Sequence, residues 1–172
     1  MDRIDRIFRI KLSRMHLPEF HFLFNLNAFM KQDDDQSELL RLFEGAWVLS
    51  PSGNRAYAKV VKGQLLIPYS RSEESKLVGH YFNCRLFGNK LVCHFERFEP
   101  YTPGVAFLKL GSNHTLKGGW WLNKNIPEAI QNDISQISEN LPKMIQFVWI
   151  LMPKVKTPKW AREYFAKDSP TK

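Results

Sequence analysis

Cysteine is scarce in this sequence, since the 172 residues contain only Cys84 and Cys93. So few cysteines exclude a protein held together mainly by disulfides. Long apolar runs are also missing, because the stretches near residues 20–30 and 145–152 fall short of the ~20 residues that a membrane-spanning helix needs. The N-terminus has no uninterrupted apolar segment of the kind found in secretory signals. We therefore expect a cytoplasmic protein with reduced thiols.

Net charge is absent from the middle of the chain, although the whole sequence carries +8. Residues 33–142 contain twelve basic and twelve acidic side chains, whereas residues 1–32 carry a net +3 and residues 143–172 a net +5. Nucleic-acid binding by the body of the protein is therefore not expected. Contact with an anionic membrane surface or a partner protein would involve the basic, aromatic ends, above all the arginine-rich residues 3–14.

The residues from Gly45 onward predict a mainly β protein. Short segments rich in Val, Ile, Phe, Tyr and Trp alternate with compact turns, which is typical of strands in an antiparallel meander. The turns leave no room for the crossover helices of a parallel sheet. Because closure removes exposed sheet edges, we predict an up-and-down β-barrel of about eight strands. The predicted strands are residues 45–50, 55–61, 64–69, 76–87, 90–98, 104–110, 114–122 and 144–152.

Three short helices complete the predicted architecture. The segment from Ser37 predicts a helix that stops at Gly45, and apolar spacing in residues 126–137 predicts a helix of about three turns before the last strand. A C-terminal helix is expected to start at Pro158. Alternating apolar residues predict a further strand at residues 20–26. The resulting divisions are a basic, aromatic N-terminal extension (1–36), a barrel domain (37–153) and a basic C-terminal tail (154–172).

The hairpin GHYFNCRLFGNKLVCHFERF, residues 79–98, turns at Gly88-Asn89. A two-residue turn fixes which side chains face each other and therefore which face of the hairpin they share. The more apolar face is predicted to point inward, which leaves Tyr81, Asn83 and His94 on the outer face. The predicted inward pairs are Leu86 with Leu91, Cys84 with Cys93, Phe82 with Phe95, and His80 with Arg97.

This register separates the reactive side chains of the hairpin. A zinc site is excluded because Cys93 and His94 point to opposite faces, and because His80 and Cys84 lie about 13 Å apart along the strand. The same distances exclude a catalytic cysteine–histidine pair. A disulfide between Cys84 and Cys93 is geometrically possible, whereas a reducing compartment favours two packed thiols. We predict no catalytic residue, no metal and no cofactor.

The end of the hairpin that lies away from its turn carries the candidate site. A charged side chain that points into a barrel needs an ionic partner, water at the mouth or an anionic ligand. We predict His80, Arg97 and Tyr69 as polar anchors for a ligand, with Phe82 and Phe95 as its apolar walls. The competing interpretation is an internal ion pair, or a mouth residue that reaches solvent.

A second hairpin, which turns at Lys62-Gly63, bears on whether the barrel is hollow. Its register places Ala56, Ala58, Val60, Leu65, Ile67 and Tyr69 on one face. Small alanines on an inner face leave free volume, and this favours a cavity over a solid core.

The motif FEGAW, in which a short helix precedes Gly45-x-Trp47, resembles the calycin group of lipocalin-like barrels. The meander and the helix before the last strand extend this resemblance over residues 39–153. KLVGHYFNCRL followed by PGVAFLKLGSNHTLKGGWW is similar to small bacterial β-barrels that sense cyclic nucleotides in antiphage signalling. Both resemblances imply a small-molecule-binding barrel and not an enzyme.

Two functions follow as hypotheses. The first is a non-enzymatic barrel that holds an anionic or amphipathic small molecule in its interior. The alternative is a solidly packed barrel that acts as an interaction or scaffold protein through its basic, aromatic termini.

Overall fold

The structure is a computed structural model that describes residues 33–111 and 114–167. It confirms the predicted barrel, in which eight antiparallel strands pair in sequence order and β8 closes onto β1. The predicted strand at residues 20–26 lies outside the described residues. The strands are β1 (Gly45–Ser50), β2 (Asn54–Val61), β3 (Gln64–Ser70), β4 (Leu77–Phe87), β5 (Lys90–Phe98), β6 (Tyr101–Leu110), β7 (Thr115–Leu122) and β8 (Ile145–Met152).

A helix closes one end of the barrel. Helix α1 (Asp33–Leu40) runs into a 3₁₀ turn, Arg41–Phe43, directly before β1. Leu40 and Phe43 belong to the same buried cluster as the inward-facing strand residues. The indole Nε1 of Trp47 donates a hydrogen bond to the carbonyl oxygen of Phe43 over 3.0 Å. This bond ties the first strand to the turn that covers the barrel end.

The segment between β7 and β8 covers part of the outer surface of the barrel. It contains helix α2 (Glu128–Asn132) and a 3₁₀ turn, Ile134–Gln136. The helix is shorter than the predicted three turns because Asp133 leaves the helical conformation, with φ −131° and ψ 88°, and accepts a hydrogen bond from the backbone of Ser135. The apolar residues predicted for this helix nevertheless pack on the barrel. They cover the outward-facing side chains Val92, Val105, Phe107 and Trp121.

The C-terminal helix α3 (Lys159–Lys167) confirms the predicted short helix. Its buried residues Trp160, Ala161 and Phe165 pack against Ala46 and Tyr57 on the outside of the first two strands. The rings of Trp160 and Tyr57 meet edge to face, with centroids 5.4 Å apart. The apolar side of α3 is therefore used within the molecule.

Within residues 33–111 and 114–167, no helix is both long enough and apolar enough to cross a membrane.

Candidate functional site

A cavity of about 500 Å³ occupies the end of the barrel opposite α1. Four connections between strands form this end of the barrel, namely β1–β2, β3–β4, β5–β6 and β7–β8. The volume lies within the range of roughly 300–1,000 Å³ that is usual for small-molecule sites. The lining residues are Leu49, Ser50, Pro51, Ser52, Asn54, Tyr69, Arg71, Val78, Tyr81, Phe95, Arg97, Thr102, Trp120, Leu122, Ile145, Gln146, Phe147 and Trp149.

The opposite half of the barrel is filled by side chains. Trp47, Leu65, Leu91 and Leu108 are at most 1% exposed there, and Leu40 and Phe43 of the helical segment join the same cluster. The cavity is therefore confined to the open half of the barrel and does not continue to the closed end. A compact molecule fits this shape better than a long extended chain.

Among the residues that the structure describes, six aromatic ones line the cavity, and we call them the aromatic wall. Each ring touches at least one other, with centroids 5.2–5.7 Å apart. The contacts are tilted or edge to face, which are favoured arrangements for aromatic pairs. The rings therefore form one connected aromatic cluster along the cavity. Its members are Tyr69, Tyr81, Phe95, Trp120, Phe147 and Trp149.

Glycines make room for these rings where strands approach closely. A Cβ atom at Gly79 would lie 2.7 Å from the hydroxyl of Tyr69 and 2.1 Å from the carbonyl oxygen of Glu96. At Gly104 it would lie 2.3 Å from the ring of Phe95. Any larger side chain at either position would displace a ring of the aromatic wall or a neighbouring strand.

Arg97 brings a positive charge to the cavity wall. It lies near the end of β5 and is opposite Gly79 of β4. Its Nε atom is buried and has no hydrogen-bond acceptor among the described residues. The indole Nε1 of Trp149, which also lines the cavity, is buried and equally without an acceptor. Two lining residues thus carry a donor that is buried in the packed wall without an acceptor among the described residues, which is costly.

The tyrosines of the wall stay protonated near neutral pH. Burial raises the pKa of Tyr69 to about 12, although the positive charge of Arg97 acts in the opposite direction. Burial also raises the pKa of Tyr81, and the neighbouring Tyr69 adds to that shift. Both hydroxyls can therefore donate hydrogen bonds at physiological pH.

Acidic side chains are missing from the part of the cavity wall that the structure describes. Among the described residues that line it there are two arginines, Arg71 and Arg97, and no aspartate or glutamate. Arg71 lies exposed at the start of the β3–β4 connection. The lining therefore has a net positive charge, even though the middle of the chain is neutral overall.

The structure places the five predicted site residues in two groups. Arg97, Tyr69 and Phe95 line the cavity. His80 and Phe82 face the outer surface, so their predicted inward orientation is wrong. The predicted pairing holds near the turn, where Leu86 faces Leu91, but it shifts by one residue between Phe82 and Arg85.

Asn83 is the cause of this shift. It has a positive φ of 48°, a conformation that asparagine tolerates better than most residues. Asn83 and Cys84 together oppose the single residue Cys93, which makes a β-bulge. Beyond the bulge the faces are exchanged, so Tyr81 is buried inside the barrel and lines the cavity. The predicted outer position of Tyr81 is therefore also wrong.

His80 contacts several neighbouring side chains on the outer surface of the barrel. Its Nδ1 lies 2.5 Å from the hydroxyl of Tyr164 in α3, and its Nε2 lies 3.7 Å from a carboxylate oxygen of Glu96. The ring also contacts Phe82 and Phe98, with centroids 4.9 and 5.3 Å away. These contacts connect β4 and β5 to the C-terminal helix, at the outside of the barrel wall.

The two cysteines form a disulfide. Their Cα atoms are 4.1 Å apart, and both residues are buried in the interior cluster. The expectation of two free thiols is therefore wrong, whereas the predicted proximity of Cys84 and Cys93 is confirmed. Cys84 lies on the turn side of the bulge at Asn83, so it keeps its predicted inward position opposite Cys93.

The alanines expected to create the cavity do not line it. Ala56 and Ala58 are buried, and the register partners of Ala56 are the large residues Trp47 and Tyr69. The predicted inner face of this hairpin is correct, because its six residues all belong to the interior cluster. Neighbouring aromatic side chains take up the space that the small residues leave.

Sequence reasoning missed four of the aromatic residues that line the cavity, Tyr81, Trp120, Phe147 and Trp149. Asn83, a residue that favours bulges, was the available indication for Tyr81. For Trp120 in β7 and for Phe147 and Trp149 in β8, alternation along the strand indicates an inward direction but not a position at the open end.

Comparisons of this chain with protein-family models, with curated proteins and with solved structures found no match.

Proposed function

We propose that this barrel is a non-enzymatic binding protein that holds a small amphipathic or anionic molecule in its open half. The observation that carries the proposal is the cavity of about 500 Å³, with its apolar, mainly aromatic wall and few polar groups. This composition is typical of small-molecule sites, in which apolar burial supplies affinity and a few polar groups fix orientation.

The lining residues support binding without catalysis. None of those described is a histidine, a cysteine or a carboxylate, the groups that most often activate a nucleophile or transfer a proton. The resemblance of FEGAW and of the meander to lipocalin-like barrels supports the same function. In this proposal Arg97 and Tyr69 anchor the ligand, and Phe95 is part of its apolar wall.

The alternative, a scaffold that acts through its termini, has less support. The apolar side of α3 already packs on Ala46 and Tyr57 of the barrel, so this helix does not offer a free apolar surface to a partner. The basic N-terminal residues 1–32 lie outside the described residues. The cytoplasmic location stays a prediction.

Native mass spectrometry of the full chain, purified from its host, tests the proposal. We expect a population with additional mass from a bound small molecule, which disappears after denaturation. In the variant Leu122→Trp, a larger side chain at the cavity wall should reduce that population. Ile150→Trp is the matched control, because Ile150 is 46% exposed on the outer surface. Equal ligand occupancy in both variants, or no bound molecule in either variant and the wild type, would contradict the proposal.

A further inference from the structure

The guanidinium group of Arg97 in the cavity wall indicates what kind of group the ligand carries. Arg97 Nε and Trp149 Nε1 are both buried without an acceptor among the described residues, and both residues line the cavity. Trp149 is only 1% exposed. Both of these atoms are closed off from the cavity, so the donors of Arg97 that a ligand can reach are the terminal nitrogens of its charged guanidinium group.

The charge of the cavity specifies this acceptor further. Its described lining contains Arg71 and Arg97 but no carboxylate, so an anionic oxygen is attracted and meets no repulsion from the wall. Tyr69 is also a lining residue with a hydroxyl donor, and its ring lies against Gly79, the register partner of Arg97. Arginine forms its strongest hydrogen bonds with carboxylate, sulfonate or phosphate oxygens.

The rings of the wall and the depth of the cavity define the remainder of the ligand. Tyr81 lies 5.2 Å from Trp149 and 5.7 Å from Phe95, centroid to centroid, and Trp120 continues the wall beyond Phe95. Aromatic side chains at these positions favour a flat aromatic ligand. A long alkyl chain would need a deeper channel, which the filled half of the barrel excludes.

We propose that the cavity selects compact aromatic anions, with the anionic oxygens at the guanidinium group of Arg97 and the ring system against Tyr81, Phe95 and Trp120. This assignment rests on the proposed function, because it names the ligand class of the same cavity. The chemistry shared by the candidates is a fused or linked aromatic ring system that carries one carboxylate, sulfonate or phosphate group.

Two fluorescent probes with the same ring system separate the contribution of the anionic group to binding from that of the rings. 8-Anilino-1-naphthalenesulfonate carries an anionic group, and N-phenyl-1-naphthylamine lacks it. Titration of the full chain with each probe should give at least tenfold tighter binding of the anionic one, because a hydrogen-bonded charge is worth roughly a factor of ten or more. Arg97→Met should remove this preference and change the affinity for the neutral probe less than about twofold.

Arg85→Met is the matched control, because Arg85 is exposed on the outside of β4. This variant should keep the preference for the anionic probe, which excludes binding through surface charge. Arg97→Lys should keep part of the preference, and circular dichroism should show that all three variants are folded. Competition of 2-naphthoate against decanoate then tests the rings, since both are carboxylates of similar carbon number. We expect naphthoate to displace the bound probe at a concentration at least tenfold lower.

The outcomes distinguish this assignment from the proposed function. If the neutral probe binds while the anionic probe binds no tighter, or if Arg97→Met leaves the preference intact, the anion assignment is wrong and a binding barrel remains. If decanoate displaces the probe at the same concentration as 2-naphthoate, the preference for aromatic ligands is wrong and the preference for anions stands. If neither probe binds to the folded protein, both the assignment and the proposed function fail.

Discussion

Tyr69 links the cavity to the stability of the protein at high pH. Burial raises the pKa of its hydroxyl from 10.0 to about 12, so between these values the folded protein holds a proton that the unfolded chain has lost. Because the folded state binds more protons in this range, the free energy of unfolding falls as the pH rises. The contribution of Tyr69 is fully present below pH 10 and is lost by about pH 12.

The variant Tyr69→Phe should therefore lose less stability than the wild type between pH 10 and about pH 12. A pKa change of this size corresponds to roughly 2–3 kcal/mol at the upper end of the range. Urea unfolding at a series of pH values measures the effect. Parallel curves for the two proteins would show that Tyr69 ionises equally readily in the folded and unfolded states.

Asn83 shows how one residue changes a site. Alternation of side chains predicted the inner face of β5 correctly, so Arg97 and Phe95 lie where they were expected. The same alternation failed in β4 beyond Asn83, because the positive φ there inserts one extra residue. His80 and Phe82 were thereby placed on the wrong face, and Tyr81 was missed. A period of two assumes regular backbone, and a bulge violates that assumption locally.

At the scale of elements, the β4–β5 hairpin is joined both by its turn and by the disulfide. Cys84 and Cys93 are nine residues apart in the sequence. Closing a loop of this length in the unfolded chain is worth roughly 2–3 kcal/mol. The disulfide lies in the interior cluster, between the turn and the aromatic wall.

Replacing both cysteines by alanine should therefore lower the free energy of unfolding by roughly 2–3 kcal/mol. Equilibrium unfolding of the wild type with dithiothreitol should show a similar loss, because the unfolded chain is then reduced. The double variant serves as the control, since the reductant should not change its midpoint. If dithiothreitol leaves the wild-type midpoint unchanged as well, the cross-link contributes nothing to stability.

At the scale of the whole molecule, the barrel is packed unequally at its two ends. One end is closed by α1 and by Trp47, and Leu65 is completely buried there. The other end holds the cavity, and Leu122 in its wall is only partly buried. Removing a buried side chain costs more where the surroundings are close-packed than where open space already exists.

A matched pair of substitutions measures this asymmetry. Leu65→Ala should lower the free energy of unfolding by about 3 kcal/mol, whereas Leu122→Ala should lower it by less than about 1 kcal/mol. Urea unfolding of the two variants beside the wild type provides the comparison. Similar losses in both would mean that the open end is packed as tightly as the closed one.

The sequence by itself determined the local features of this protein. The number of strands, their order and the positions of the turns follow from short-range patterns, because strand alternation and turn residues act over a few neighbouring positions. The closure of the barrel was also predictable, since exposed sheet edges are costly. The inward positions of Arg97, Tyr69 and Phe95 followed from the registers of two hairpins.

Only the tertiary structure decided the position and composition of the cavity. The height of each inward side chain along the barrel axis depends on all eight registers together, so no single hairpin could assign Trp120 and Trp149 to the open end. The described cavity wall contains no acidic group, and this too depends on which strand ends meet at the open end of the barrel. The bulge at Asn83 turns Tyr81 into the barrel and Phe82 to its outer surface. The aromatic wall therefore contains Tyr81 and not Phe82.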